Sequence, residues 1–335
     1  MSGATPAAGM RALVIGFGSI GRRHTGNLVA LDSGEVAVCD PDPERARAAA
    51  EEFGVVTYRS IDQALTSRPD AALVCTPPSL HVSTAFECVE AGADVFIEKP
   101  LACELTGVEE LLDAARRRGR TLLVGYNYRY SAPLQQMRRV IEEGAIGRVV
   151  AVRGQVGQYL PDWRPGRDYR LVYTSRADQG GGVLLDMTSH QIDYVRWLAG
   201  EIQSVYAVTG RLGDLAIEAE DTAILTLRLQ SGALATLHAD CLQRTYVHEL
   251  RVIGTRGTLH LEFRGALRWW QEDGRCLVLA EGSDPNEAFV EEMRHFLACV
   301  ARREPPRVPG EEGRRAVEIL VAARDSARLG VEIKV

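Results

Sequence analysis

Lysine is nearly missing from this sequence. Of 39 lysines and arginines in 335 residues, only Lys99 and Lys334 are lysine. Long apolar runs are missing too: none approaches the roughly 18 residues that a membrane-spanning helix needs. There is no basic stripe. The net charge is −6 and the arginines are dispersed among acids, which argues against a nucleic-acid partner. The densest basic stretch, Arg116–Arg118 with Arg120, reads as the end of a helix, where cations suit the macrodipole. The seven cysteines are odd in number and scattered, with no C-x-x-C pair, so neither a disulfide framework nor a zinc site is expected. Cys39, Cys75 and Cys88 lie in or beside apolar segments, as reduced thiols of a cytoplasmic protein would. The opening MSGATPAAGM has neither the basic nor the apolar region of a secretory signal and reads as a flexible tail over residues 1–9.

What is present is a change of grammar partway along the chain, and the length fits two domains. The first third alternates apolar runs (12–16, 35–40, 71–75, 94–98, 121–125) with helical patterns, as a parallel sheet covered on both faces would. After about residue 126, strand patterns follow one another closely, with short turns at Ser231–Gly232 and Thr255–Gly257. In ALATLHADC, Ala233, Ala235, Leu237, Ala239 and Cys241 share one face, opposite Thr236, His238 and Asp240, as in an antiparallel sheet with two unlike faces. Helical patterns over about 286–303 and 311–329 close the chain. The fold class is therefore α/β: a doubly wound parallel-sheet domain over 10–125, then an α+β domain over 126–335 whose C-terminal helix could pack back on the first.

The first strand runs into GFGSIG, with Gly16, Gly18 and Gly21 in the G-x-G-x-x-G spacing and Phe17, Ser19 and Ile20 between them. The first glycine permits a tight turn, the second lets the backbone approach a diphosphate, and the third lets the helix pack closely. Glycine triplets arise by chance, and Asp40 ahead of Pro41 could be a plain helix cap. Here, though, a strand precedes, a helix follows, and Asp40 ends the next strand 19 residues past Gly21. A carboxylate there accepts from ribose hydroxyls and repels a 2′-phosphate. The expected ligand is NAD, with NADP less favoured; Arg45 nearby keeps the second open.

Lys99 follows the apolar run DVFIE, so Glu98 and Lys99 should stand at a strand's carboxyl end, where open α/β sheets bind ligands. An ammonium can exchange a proton when partly buried, and a guanidinium cannot. The plainer alternative is a solvent-facing lysine.

Four segments in order, GFGSIG, CTPPSLH (75–81), EKPLA (98–102) and GGGVLLDMTSH (180–190), make the chain resemble the Gfo/Idh/MocA family of oxidoreductases over roughly residues 10–335. The resemblance implies a Rossmann domain plus a second domain built on a large, mostly antiparallel open sheet that often forms an oligomer interface. It implies NAD(P)-dependent oxidation or reduction at a carbinol carbon of a sugar, sugar acid, nucleotide sugar or cyclitol. By motif, Lys99 matches the lysine that contacts the reacting oxygen, and Asp186 and His190 the D-x-x-x-H pair. Thr76, Pro77, Pro78, His81 and Glu98 fall beside the cofactor, and Asn127 and Arg129 in a stretch facing cofactor and substrate.

Read from the residues, VLLDMTSHQIDYVRWLAG is one helix stopped by Gly200. Asp186 and His190, four apart, share a face. A lone helical histidine is more often structural than catalytic, but a hydride site needs a neighbouring proton-transfer group. His190 is expected to act as base in oxidation and acid in reduction, with Lys99 on the same oxygen. The two could exchange roles. Asp186 would bind a neighbouring hydroxyl or hold His190, and Asp193 would support structure.

Residues 158–182 are too long and irregular for a plain connector. Tyr159, Trp163, Tyr169 and Tyr173 suit stacking on a sugar or nicotinamide, and Arg164, Arg167 and Arg170 suit a carboxylate or phosphate. The alternative is that the aromatics anchor the loop and its charges pair with one another. Two other functional classes compete: an NAD-dependent glycosidase using transient oxidation, and a ligand-sensing regulator without turnover. A strand-rich second half with one uncovered sheet face predicts a homodimer or homotetramer.

Overall fold

The computed structural model describes residues 9–282 and 284–335. Of the expected N-terminal tail, residues 1–8 lie outside the described residues. The chain forms two compact units.

The first unit holds six parallel strands in the order β3-β2-β1-β4-β5-β6. They are β1 (Arg11–Ile15), β2 (Glu35–Cys39), β3 (Val56–Tyr58), β4 (Ala71–Val74), β5 (Asp94–Glu98) and β6 (Leu122–Gly125). Every residue of β4, β5 and β6 is buried, as continuous apolar strands covered on both faces should be. Helices α1 (Ser19–Ala30), α2 (Pro43–Phe53), α3 (Ile61–Leu65), α4 (His81–Glu90) and α5 (Val108–Arg118) provide the crossovers. Their ends follow local chemistry. Asp42, not Asp40, caps α2 by accepting from the Glu44 amide. Gly119, at φ 60°, ends α5 directly after Arg116–Arg118.

The second unit is built on a nine-stranded sheet in the order β14-β13-β12-β11-β7-β10-β9-β8-β15. Its strands are β7 (Val149–Gly157), β8 (Ile202–Gly210), β9 (Thr222–Leu229), β10 (Leu234–Asp240), β11 (Val247–Gly254), β12 (Gly257–Glu262), β13 (Leu267–Gln271), β14 (Cys276–Ala280) and β15 (Ile333–Lys334). Neighbours are antiparallel except β7 and β10, which pair in parallel with Leu237 beside Gly154. The alternation expected around β10 holds: Ala233, Ala235, Leu237, Ala239 and Cys241 are all buried. On the opposite face Asp240 is buried as well, because it accepts from the Leu242 and Gln243 amides. Strands β3, β13, β14 and β15 carry no clear sequence signal; β14 has a largely exposed pattern that hides its pairing. Helices α6 (Ala132–Glu142), α7 (Val183–Asp186) and α8 (Thr188–Ala199) also belong here.

Two expectations need correction. The division at 125/126 into contiguous domains fails at the C-terminal end, because Phe289–Arg315 groups with the first unit. There Met293, Phe296, Leu297 and Cys299 of helix α9 (Pro285–Arg302) join a core cluster with Val14, Leu73 and Phe96. Helix α10 (Gly310–Leu329) is shared between the units, the second taking it from Ala316. The helix expected over 183–199 is two segments broken at Met187. The Thr188 hydroxyl donates back to the Leu184 carbonyl, a local bond that bends helices.

All seven cysteines are free thiols, five of them buried. Among the described residues, no helix is long and apolar enough to cross a membrane, and no cluster of His, Cys, Asp or Glu could hold a metal ion.

Candidate active site

In the first unit, β1 delivers the chain into the glycine turn. Gly16 has φ 93°, and a Cβ there would lie 2.7 Å from the Cys75 carbonyl oxygen. At Gly21 a Cβ would fall 1.9 Å from the Gly16 carbonyl oxygen, so the turn and α1 close on each other only through glycine. A Cβ on Gly18 would meet nothing within 4 Å. Gly18 thus presents bare backbone to open space at the start of α1, which has no side-chain cap and no acidic residue in its first turn. That is the setting in which a helix N-terminus receives a phosphate.

Phe17 and Ile20 turn their side chains into or against the core, so only their backbone can serve a ligand; Ser19 is exposed. Asp40 is buried at the end of β2. Its Oδ2 accepts from the Phe17 amide at 2.7 Å and its Oδ1 from the Asp42 amide at 2.9 Å. The carboxylate thereby ties the glycine turn to the end of β2. Arg45 lies 3.8 Å from it and is more than half exposed. At the end of β4, the Thr76 hydroxyl is buried without a hydrogen-bond partner, an orphan polar atom of the kind a bound group satisfies. Bare glycine backbone, an open helix N-terminus and an acidic strand end fit a dinucleotide.

Lys99 stands half-buried at the carboxyl end of β5, two strands from β1, and the Lys99–Pro100 peptide is cis. Glu98 is buried. Its Oε2 accepts from the Lys99 amide at 3.1 Å, and its Oε1 lies 2.7 Å from His24 Nε2. His81 is enclosed, with Nδ1 2.8 Å from the Pro100 carbonyl oxygen and Nε2 2.9 Å from that of Thr76. Burial holds the His81 imidazole below its ordinary pKa, against the pull of the two carbonyls toward the protonated ring. Its side chain thus braces backbone. Pro77 is half-buried, and Pro78 is buried where it opens a short 3₁₀ turn leading into α4.

In the second unit, Asn127 is buried at the start of a 3₁₀ turn through Tyr130. Arg129 is buried and committed to Asp193. The Asp186 carboxylate is held by two hydroxyls, Tyr173 at 2.5 Å and Thr174 at 2.8 Å. His190, on α8, packs edge-on against Tyr128 with ring centroids 4.8 Å apart. Tyr128 also packs against His248, which stacks on Phe263 at 3.6 Å. Burial, then the neighbouring Arg264 cation, pulls the His248 pKa down to about 3.

Residues 158–182 form a chain of short 3₁₀ turns. Trp163 donates to the Gln158 carbonyl at 2.9 Å, the Arg244 guanidinium covers the Tyr159 ring at 3.7 Å, and the Tyr169 hydroxyl accepts from the Ala216 amide. Asp168 pairs with Arg170 and Asp178 with Arg176. Arg164 and Arg167 are in neither pair and line a cavity of only ≈ 10 Å³ with Trp163 and Tyr169, too small for a sugar.

Sequence reasoning missed His24 beside Glu98, Thr174 on Asp186 and Tyr128 against His190, and it expected Tyr173 to stack on a ligand where its hydroxyl instead donates to Asp186. The available signal for His24 was a polar residue on the buried face of α1, three positions past Gly21. For the other two there was only proximity in sequence to residues already singled out.

Comparison with known proteins agrees with this reading. Residues 10–126 match the family model described as "Oxidoreductase family, NAD-binding Rossmann fold", and residues 134–260 that of the GFO/IDH/MocA C-terminal domain. The myo-inositol 2-dehydrogenase of Thermotoga maritima is 30% identical over 95% of this chain and 96% of its own. The WlbA dehydrogenase of Bordetella pertussis, solved with NADH and UDP-GlcNAcA, is 28% identical with a TM-score of 0.82, covering 98% of this chain and 99% of that one. A levoglucosan dehydrogenase solved with NADH shares the fold, at a TM-score of 0.88 and 22% identity over 98% of this chain and 99% of that one. The expected α/β fold, oxidoreductase class and NAD cofactor are thereby borne out, and the chain belongs to the Gfo/Idh/MocA family of NAD-dependent oxidoreductases.

Proposed function

We propose that this protein is an NAD-dependent dehydrogenase or reductase acting on a CH–OH group of a sugar, sugar acid, nucleotide sugar or cyclitol. The observation that carries the reading is in the first unit: a lysine at the carboxyl end of β5, in the same sheet as a glycine cradle shaped for a diphosphate. The T. maritima relative is named for an inositol, and the B. pertussis one was solved with a nucleotide sugar. Both molecules carry ring hydroxyl groups.

NAD, when bound, supplies the hydride acceptor. The chain's own residues have to orient the alcohol and manage its proton. In our reading Lys99 hydrogen-bonds the reacting oxygen and stabilises its developing negative charge. His190 takes the hydroxyl proton in oxidation and returns it in reduction. Asp186, held by Tyr173 and Thr174, would bind a neighbouring substrate hydroxyl. The backbone from Phe17 to Gly21, with its free amides from Gly18 onward, would line the dinucleotide together with Asp40, Thr76, Pro77, Pro78 and Asn127. Arg164 and Arg167, outside the loop's ion pairs, favour an anionic substituent on the substrate. Arg129, Trp163 and Tyr169 would shape the site, each already holding a partner in the chain.

The outer face of the second sheet carries Tyr206, Val208, Ile224 and Leu234, each more than two-fifths exposed, with Val208 directly opposite Ile224. That apolar strip supports a homodimer or homotetramer formed through the sheet. A cytoplasmic location fits the unpaired cysteines.

The deciding experiment is an NADH-absorbance screen against inositols, free sugars, sugar acids and UDP-sugars. Lys99→Ala should lower turnover of the substrate found by about 10²–10⁴-fold while NAD binding stays nearly intact. Unchanged turnover would defeat the mechanism. Turnover of a glycoside with no net NADH would replace it with the transient-oxidation chemistry.

A further inference from the structure

Glu98 is a carboxylate in an unusual place. It is buried at the end of β5, and its hydrogen-bond partners are one side chain, His24, and one backbone amide, that of Lys99. Burying a polar pair where an apolar pair would pack adds little to stability. The fold therefore gains little from this arrangement. What the arrangement does is local. Phe96 and Glu98 share a face of β5, and His24 meets both: its ring packs edge-on against Phe96 at 5.1 Å while its Nε2 reaches the carboxylate. A second aromatic, Phe289, closes the other side at 6.0 Å. His24 is fully buried and its Nδ1 has no hydrogen-bond partner, so the ring's polar function is spent on Glu98 alone. One residue beyond Lys99, the Pro100 carbonyl is held by His81, which is held in turn by Thr76. The backbone is thus gripped on both sides of Lys99.

We propose that His24 is a positioning residue: by fixing the Glu98 carboxylate against the Lys99 amide, it sets the direction in which the Lys99 side chain leaves the sheet. The inference rests on the reading of Lys99 as the residue at the reacting oxygen. It assigns Glu98 to aiming that lysine, where sequence reasoning had grouped Glu98 with the cofactor contacts. The Glu98 carboxylate is committed to His24 and the Lys99 amide, and cofactor affinity is independent of it.

The scarcity of lysine makes the test sharp. Reductive ¹³C-methylation labels only Lys99, Lys334 and the chain's α-amine, so the environment of Lys99 is read directly by NMR with Lys334 as internal reference. In His24→Leu the Lys99 methyl signal moves while that of Lys334 does not. Its kcat falls about 10- to 100-fold, the scale of a misplaced reacting group. NADH affinity, measured by fluorescence, stays within about twofold, because the glycine cradle is untouched. His24→Gln keeps a donor toward Glu98 and recovers kcat to within about fivefold, and His24→Leu/Glu98→Gln loses no more than His24→Leu alone.

A folded His24→Leu protein with an unmoved Lys99 signal overturns the proposal, as does a loss of NADH binding that matches the loss of kcat. Should His24→Leu not fold, the near-isosteric Glu98→Gln carries the test, and an unmoved Lys99 signal there overturns it equally. If Lys99→Ala keeps full turnover, the reading of Lys99 has failed, and the methyl signature still reports separately whether His24 directs that side chain.

Discussion

Arg129 and Asp193 form an ion pair that is almost fully removed from solvent. Nε of Arg129 lies 3.0 Å from both carboxylate oxygens, a terminal nitrogen lies 2.7 Å from one of them, and the two side chains are 6% and 1% exposed. Removing one member leaves the other charged in the interior, at a cost of about 3–5 kcal/mol. Asp193→Ala should therefore lower the urea-unfolding free energy by that amount. Arg129→Met/Asp193→Leu should recover most of it. A near-neutral Asp193→Ala would mean that Arg129 is satisfied by something else.

The three glycines of the first turn should fail in different ways. Gly21→Ala puts a methyl group against the Gly16 carbonyl and should cost fold stability, seen as a lower melting temperature. Gly18→Val meets no protein atom at its Cβ and should melt as the parent does. Its NADH affinity should nevertheless drop by about tenfold or more, since the side chain occupies the ground a diphosphate needs. Equal NADH affinity in Gly18→Val and parent would remove the diphosphate from this turn.

Asp40→Asn keeps a side-chain acceptor for one of the Phe17 and Asp42 amides, gives up the other and removes the charge. Like-charge juxtaposition costs several kcal/mol, so the preference for NAD over NADP should narrow by at least about tenfold. Arg45, 3.8 Å away, is then available to a 2′-phosphate. The measurement is kcat/KM with each cofactor.

His248 is buried with its pKa depressed to about 3, first by burial and then by Arg264. It stays neutral in the native state while the unfolded chain takes up a proton near pH 6.5. The unfolded state thus binds more protons between those values. Its contribution to stability is complete above about pH 6.5 and declines by up to about 1.4 kcal/mol per pH unit as the pH falls toward 3. His248→Phe should flatten that acid limb in urea titrations run from pH 7.5 to pH 4. His81, lowered in the same direction by burial, adds to the slope in both proteins.

Some of this was readable from the order of residues because it depends on short-range rules. A strand entering G-x-G-x-x-G and a helix, with an acid ending the next strand, announces its own geometry, since the turn cannot close with side chains at Gly16 and Gly21. The alternation from Ala233 to Cys241 likewise follows from the two-residue period of a strand. Lys99 was conspicuous through composition, and its place at a strand end followed from the run before it. The D-x-x-x-H spacing located Asp186 and His190, but a helical period alone could not reveal the break at Met187, because the Thr188 back-bond competes locally with the helix.

Tertiary packing decided the rest. It returned α9 to the first unit, since an amphipathic helix does not carry in its sequence the address of the core it will cover. It spent Arg129 on Asp193, enclosed His81 between two carbonyls and set His24 on Glu98. Each of these side chains could have served a ligand in one environment and the fold in another. Burial and the nearest complementary group make that choice, and both come from segments distant along the chain.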